Sequence, residues 1–161
     1  MCQRVLRIGG CLELIAMVKK STLSALDRLK DLSIAPGAVF IGPWDGIDHE
    51  KYLIVAAVNP ERILVCSVMI NSQINHYIQN RPKMLAGQLE LKVADYDFLK
   101  HDSFANCAQP IKASLEHFMK ESVRYCGILN DADLAKVRQF ILASGMLTKE
   151  DIRQFFGKDI E

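Results

Sequence analysis

The side chains that could do chemistry in this chain are four histidines and a few scattered cations. His49 stands two residues before Lys51. An imidazole titrates near neutrality and can move a proton, while an ammonium can hold an anion in place. His76, Arg81 and Lys83 share one later loop with Tyr77, whose ring is available for stacking against a base. Cleaving an RNA phosphodiester through its 2′-hydroxyl needs a base, an acid and cationic stabilisation of the phosphate, and these residue types could supply all three. The same stretches also fit a plainer reading, a solvated loop with His49 capping a turn. His101-Asp102-Ser103 holds the residue types of a hydrolytic triad, but adjacent side chains diverge along the backbone. A turn in which Asp102 or Ser103 bonds nearby backbone fits that tripeptide better.

Five cysteines occur, at Cys2, Cys11, Cys66, Cys107 and Cys126, with no CxxC. The number is odd and no Cys/His pair has ligand spacing, so free thiols in a reducing compartment are expected, and no metal. No phosphate-binding loop or dinucleotide fingerprint is present, so no cofactor is expected either.

These residues must be positioned by a chain of 161 residues with 24% charged residues and a net charge of +1. That length can bury a real core, and a single domain is expected. Residues 1–35 carry six Lys/Arg against three acids, residues 36–107 six against eight, and residues 108–161 eight against eight. The middle is slightly acidic, which weighs against a strong nucleic-acid binder. At the N-terminus, Arg4 and Arg7 precede an apolar run over residues 8–18 that Glu13 interrupts. The run is too short to span a bilayer and lacks a cleavage site, so a cytoplasmic protein without a membrane partner is expected. Met17 is an alternative start to Met1.

Two apolar, β-branched runs, residues 52–58 and 63–70, flank Asn59-Pro60-Glu61-Arg62 and read as a hairpin. Both are apolar almost throughout, so both faces of the sheet should be covered. Upstream, Ser21–Leu32 reads as a helix capped by Ser21 or Thr22, and Pro36-Gly37 ends it before a strand over residues 38–41. Trp44, in the loop that follows, is expected to pack on the core. Residues 71–87 read as a loop. Residues 88–93 alternate with period two, and residues 103–107 form a last short strand. A helix is expected from Pro110 to about Tyr125, with Ile111, Leu115, Phe118 and Ser122 on one stripe. Asn130 should cap the next helix and Thr148 with Asp151 the last one. The order points to α+β: an N-terminal helical segment over residues 1–35, a small antiparallel barrel over 36–107, and a helical part over 108–161.

Pro36-Gly37-Ala38-Val39-Phe40, Lys51-Tyr52-Leu53-Ile54-Val55, the run closing on Asn71-Ser72, and residues 102–107 together resemble PemK/MazF-like toxins. The similarity covers about residues 36–118. It implies an SH3-like barrel, usually a homodimer, that cleaves single-stranded RNA without a metal as the toxin component of a toxin–antitoxin system. The matching positions are Lys51 for the family's basic residue and Asn71 and Ser72 for its Thr-Ser pair. Lysine stands where the family favours arginine, a point charge in place of a planar fork, and asparagine lacks the threonine hydroxyl. With these residues, the candidate catalytic set is Lys51, Ser72 and His49. The candidate RNA-binding set is Asn71, His76, Tyr77, Arg81 and Lys83. The alternative is a non-catalytic barrel that binds a protein partner such as an antitoxin.

Overall fold

The structure, a computed structural model, describes residues 24–157. The expectations for Met1, Met17, Ser21, Thr22, Cys2 and Cys11 lie outside the described residues. The chain divides into two compact units, residues 1–32 and 33–161. From the first comes α1, Ala25–Ser33. Ser24 Oγ accepts a hydrogen bond from Asp27 N at 3.1 Å and so caps its first turn. Leu26, Leu29 and Leu32 on α1 are exposed.

The second unit is α+β, with a seven-stranded antiparallel sheet and helices. Its strands are β1 (Ala38–Gly42), β2 (Lys51–Val58), β3 (Leu64–Asn71), β4 (Gln88–Leu91), β5 (Ser103–Asn106), β6 (Ile111–Ser114) and β7 (Arg124–Ile128). The spatial order is β4-β5-β3-β2-β1-β7, with β6 also paired to β3. Among the described residues no pairing joins β4 to β7, so the sheet as paired is open. The connection before β5 reaches across to β7: a Cβ on Gly127 would stand 2.6 Å from the Phe98 ring.

The hairpin is as expected. β2 and β3 pair from Tyr52 opposite Ile70 to Val58 opposite Val65, with a bulge between Val55 and Ala57. Asn59 Oδ1 accepts from Ile63 N and Leu64 N, each at 2.9 Å, and closes the turn. Gly37 enters β1 at φ 94°, a left-handed conformation that favours glycine. Its N–H bonds Val55 O and its carbonyl receives Leu129 N, both at 2.8 Å.

Both faces of the sheet are covered. On one face Phe40, Leu53, Val55 and Val65 pack with Phe118 and Val123, and Trp44 packs half-buried against this cluster. On the other, Val39, Ile54 and Val68 pack under two helices, α5 (Asp131–Ala143) and α6 (Lys149–Phe156), through Val137, Ile141 and Phe156. Both helices begin as expected: Asn130 accepts from Asp133 N, and Thr148 and Asp151 form a reciprocal capping box.

The helix expected over residues 110–125 does not form. That stretch is β6, a short helix α4 (Leu115–Met119), and the start of β7. The outer edge of β3 needs partners for its backbone polar groups, and residues 111–114 supply them from Leu64 opposite Ser114 to Ser67 opposite Ile111. Ser114 then caps α4 by accepting from His117 N at 3.3 Å. A helical stripe of Ile111, Leu115 and Phe118 was a weaker claim on the chain than an unpaired strand edge. The loop expected over residues 71–87 contains two helical turns, α2 (His76–Gln79) and α3 (Pro82–Ala86). The fourth strand stops at Leu91 and passes into a 3₁₀ turn over Val93–Asp95.

Candidate functional site

Antiparallel pairing gathers four chain segments at one end of the sheet. β1 finishes with Gly42 opposite Lys51, so the start of β2 lies beside it. β3 finishes beside the same point, and β5 starts there with Phe104 opposite Asn71. The loop before β2 and the loop before β5 therefore face each other across the end of β3.

A cleft of about 340 Å³ lies at this end, and its lining includes His49, Lys51, Ser72, Lys100, His101 and Ser103. The three residues proposed for catalysis, His49, Lys51 and Ser72, thus share one cleft. His101 joins them from a position 52 residues beyond His49, brought in by the β3–β5 pairing. A second cleft of about 410 Å³ shares Lys51 and is lined by Asn71 and Tyr77 among others. His76, Arg81 and Lys83, on and between α2 and α3, line neither cleft. They are exposed, and the Arg81 guanidinium lies 3.5 Å from the Tyr77 ring centroid.

Lys51 Nζ donates to Asn71 Oδ1 at 2.9 Å. An ammonium has three donors, so this bond orients Lys51 without exhausting it. His49 Nδ1 lies 2.7 Å from Asp48 Oδ1. A carboxylate only accepts, so Nδ1 carries the proton toward Asp48 and Nε2 is left for exchange with a ligand. The hydrogen bond and then the charge of His49 hold the Asp48 carboxyl below its ordinary value. Glu50, also on the cleft wall, is gripped by both Arg124 guanidinium nitrogens at 3.1 and 3.0 Å, which offsets its charge beside Lys51 and Lys100. Tyr52 donates to Phe98 O at 3.0 Å, and desolvation raises its hydroxyl pKa, so it stays protonated.

His101, Asp102 and Ser103 do not form a triad. Asp102 Oδ1 accepts from Val93 N at 2.9 Å, and its other oxygen lies 3.6 Å from Lys92 Nζ. Ser103 Oγ donates to His101 O at 3.0 Å and sits 3.3 Å from His101 Nδ1. These are the backbone-bonded turn contacts expected for the tripeptide. They also fix His101 at the cleft, a placement that nothing in its local sequence announces.

Among the described residues no three His, Cys, Asp or Glu side chains gather as a metal group. No helix among them is long and apolar enough to cross a membrane. Cys66 and Cys107 are buried, Cys126 half-buried, and all three are free. Burial pushes their thiols up to about 12, 12 and 11. They carry little thiolate and stand as packing residues. Searched against protein-family models and curated proteins, the chain has no match.

Proposed function

We propose that the protein acts on single-stranded RNA at the first cleft, as a metal-independent endoribonuclease of the PemK/MazF-like toxin kind. The observation that carries this reading is that two imidazoles and an ammonium, His49, His101 and Lys51, line one cleft. One imidazole takes the 2′-hydroxyl proton, the other protonates the leaving 5′-oxygen, and Lys51 stabilises the charge on the phosphate. Ser72, which stands at the serine of the family's Thr-Ser pair, offers a hydroxyl to the same phosphate. Arg81 and Lys83 lie further out, where they add attraction for the backbone of a longer strand.

The sheet supports the barrel part of the reading. β1, β2, β3 and β6 all turn side chains into the Phe40 cluster, with Val123 just before β7, as a curled sheet would. A cytoplasmic homodimer held in check by an antitoxin goes with the same reading. A second reading is a non-catalytic barrel that binds a protein partner. It is favoured by Asn71, which places an amide against Lys51 where a hydroxyl would serve cleavage better.

The test is incubation of the purified protein with a mixed-sequence RNA in EDTA. Cleavage is expected, reduced about 10²–10⁴-fold by His49→Ala or His101→Ala. Lys51→Ala should lower it further, with a stability loss of no more than about 0.5–1.5 kcal/mol for the lost bond to Asn71. No cleavage by the unmodified protein, as monomer or dimer, leaves only the partner-binding reading.

A further inference from the structure

Resting on the RNA reading above, we propose that the second cleft is the base-recognition pocket of the same site and that its wall favours guanine over adenine. It shares Lys51 with the first cleft, so a base seated here would belong to a nucleotide at or next to the reacting phosphate. Its volume of about 410 Å³ falls in the range of small-molecule pockets, about 300–1,000 Å³. Tyr77 supplies a ring for stacking, and Arg81 lies against that ring at 3.5 Å and holds it in place.

The polar wall is made of amides, and their orientations follow from groups with a single hydrogen-bonding role. Met84 O can only accept, so Gln88 turns its Nε2 to it, at 3.1 Å. The same Nε2 donates to Asn106 Oδ1 at 2.8 Å, and Asn106 Nδ2 donates to Gln109 Oε1 at 3.0 Å. The relay leaves Gln109 with its amino group for the cleft. The Lys51 ammonium can only donate, so it claims Asn71 Oδ1. The Ile78 N–H can only donate, so it claims Asn75 Oδ1, at 2.9 Å. Four amides line the cleft: Asn106 uses its oxygen and an amino hydrogen internally, whereas Asn71, Asn75 and Gln109 each commit one lone pair of the oxygen to an internal bond and none of the amino hydrogens.

The uncommitted groups of the wall are therefore richer in donors than in acceptors: three amino groups, an ammonium and the Tyr77 hydroxyl, which can donate as well, against one remaining lone pair on each of the three oxygens. A base meets such a wall best with adjacent acceptors and no donor between them. On its Hoogsteen edge guanine offers O6 and N7, both acceptors, whereas adenine sets an N6 amino group beside N7. Uracil sets an N3–H between its two carbonyls and would leave donors facing donors, whereas cytosine, with O2 and N3 side by side, meets the wall as guanine does.

The experiment measures fluorescence-anisotropy binding of 2′-fluoro hexamers UUXUUU, which cannot be cleaved through a 2′-hydroxyl. With X as guanine, binding is expected about tenfold or more tighter than with adenine. Inosine, which keeps O6 and N7, should bind like guanine, and 7-deazaguanine, which lacks N7, should fall toward adenine. The double change Asn75→Asp with Gln109→Glu keeps both internal acceptor roles, including the cap on α2, but removes two amino groups. It should bring the guanine-to-adenine ratio to one or below, a ratio that the added negative charge alone would not alter. Equal affinity for all four bases, or an adenine preference in the unmodified protein, would overturn the pocket while leaving RNA binding intact. No binding of any hexamer would overturn both readings, and the base analogues make the result independent of whether a variant folds.

Discussion

At its turn, the β2–β3 hairpin spends its polar groups internally. Asn59, 5% exposed, accepts two backbone N–H bonds, and the apolar face of the hairpin lies under Phe156 and Ile141. At its open end the same two strands behave differently. Lys51 and Asn71 bond each other but stay half-buried, and the segments that follow and precede them carry exposed His49 and Ser72. The contrast has a physical cause. A turn closes the backbone on itself and can be sealed by one asparagine, whereas the open end delivers four chain segments to one place with donors and acceptors left over. A cleft of about 500 Å³ also lies beside the turn, lined by Val58, Pro60 and Phe155 among others, so the two ends differ not in room but in chemistry: His49, His101 and Lys51 gather at the second.

The sharpest way to break this comparison is at the helical cover. Phe156 is 1% exposed in the core under α6. Phe156→Ala should cost about 3–5 kcal/mol in urea unfolding. RNA binding, measured where the variant remains folded, should be unchanged. A loss of binding at full stability would mean that the cover and the cleft are not separable.

Next in size is a pair of asparagines. Asn59→Ala orphans backbone donors in the hairpin turn and should destabilise by about 1–3 kcal/mol. Asn71→Ala removes one half-buried hydrogen bond and should cost about 0.5–1.5 kcal/mol, yet it should weaken RNA binding where Asn59→Ala does not. Equal effects on both readouts would erase the distinction between the two ends.

A smaller effect belongs to the last helix. Thr148 caps α6 by accepting from Asp151 N at 3.1 Å. Thr148→Ala should cost about 1 kcal/mol in thermal unfolding, with no change at the cleft.

The smallest effect is a pH dependence at the same cap. Burial by itself would raise the Asp151 pKa, but hydrogen bonds from Lys112, at 3.0 Å, and Thr148 outweigh it, and the net shift is downward. A carboxyl lowered in the folded state contributes stability that is full above its ordinary value and is lost as pH falls through the lower folded value. Unfolding free energy should therefore decline on acidification below the ordinary carboxylate range. Asp151→Asn should flatten that limb of the curve, and a limb of unchanged slope would show that other carboxyls set it.

Much of the fold was legible because its signals are local. Asn59-Pro60 between two β-branched runs specifies a hairpin whatever surrounds it. Asn130 and Thr148 cap helices through bonds only three residues long. The candidate site was legible in part. His49 and Lys51 stand two apart, and Ser72 ends the run that pairs back onto Lys51's strand. His101 was invisible as a member of the site, since its own neighbours read as a turn and are one.

What the sequence by itself determined is therefore each piece whose stabilising contacts fall within a few residues: the hairpin, the caps, and the apolar faces of α5 and α6. Only the tertiary structure decided residues 110–128, where a chain with a helical stripe became two strands and a short helix. It also decided the cleft, which His49 and His101 both line. The reason is the same in both cases. An unpaired strand edge and the place where antiparallel strands end are properties of the assembled sheet, and no stretch of residues encodes them alone.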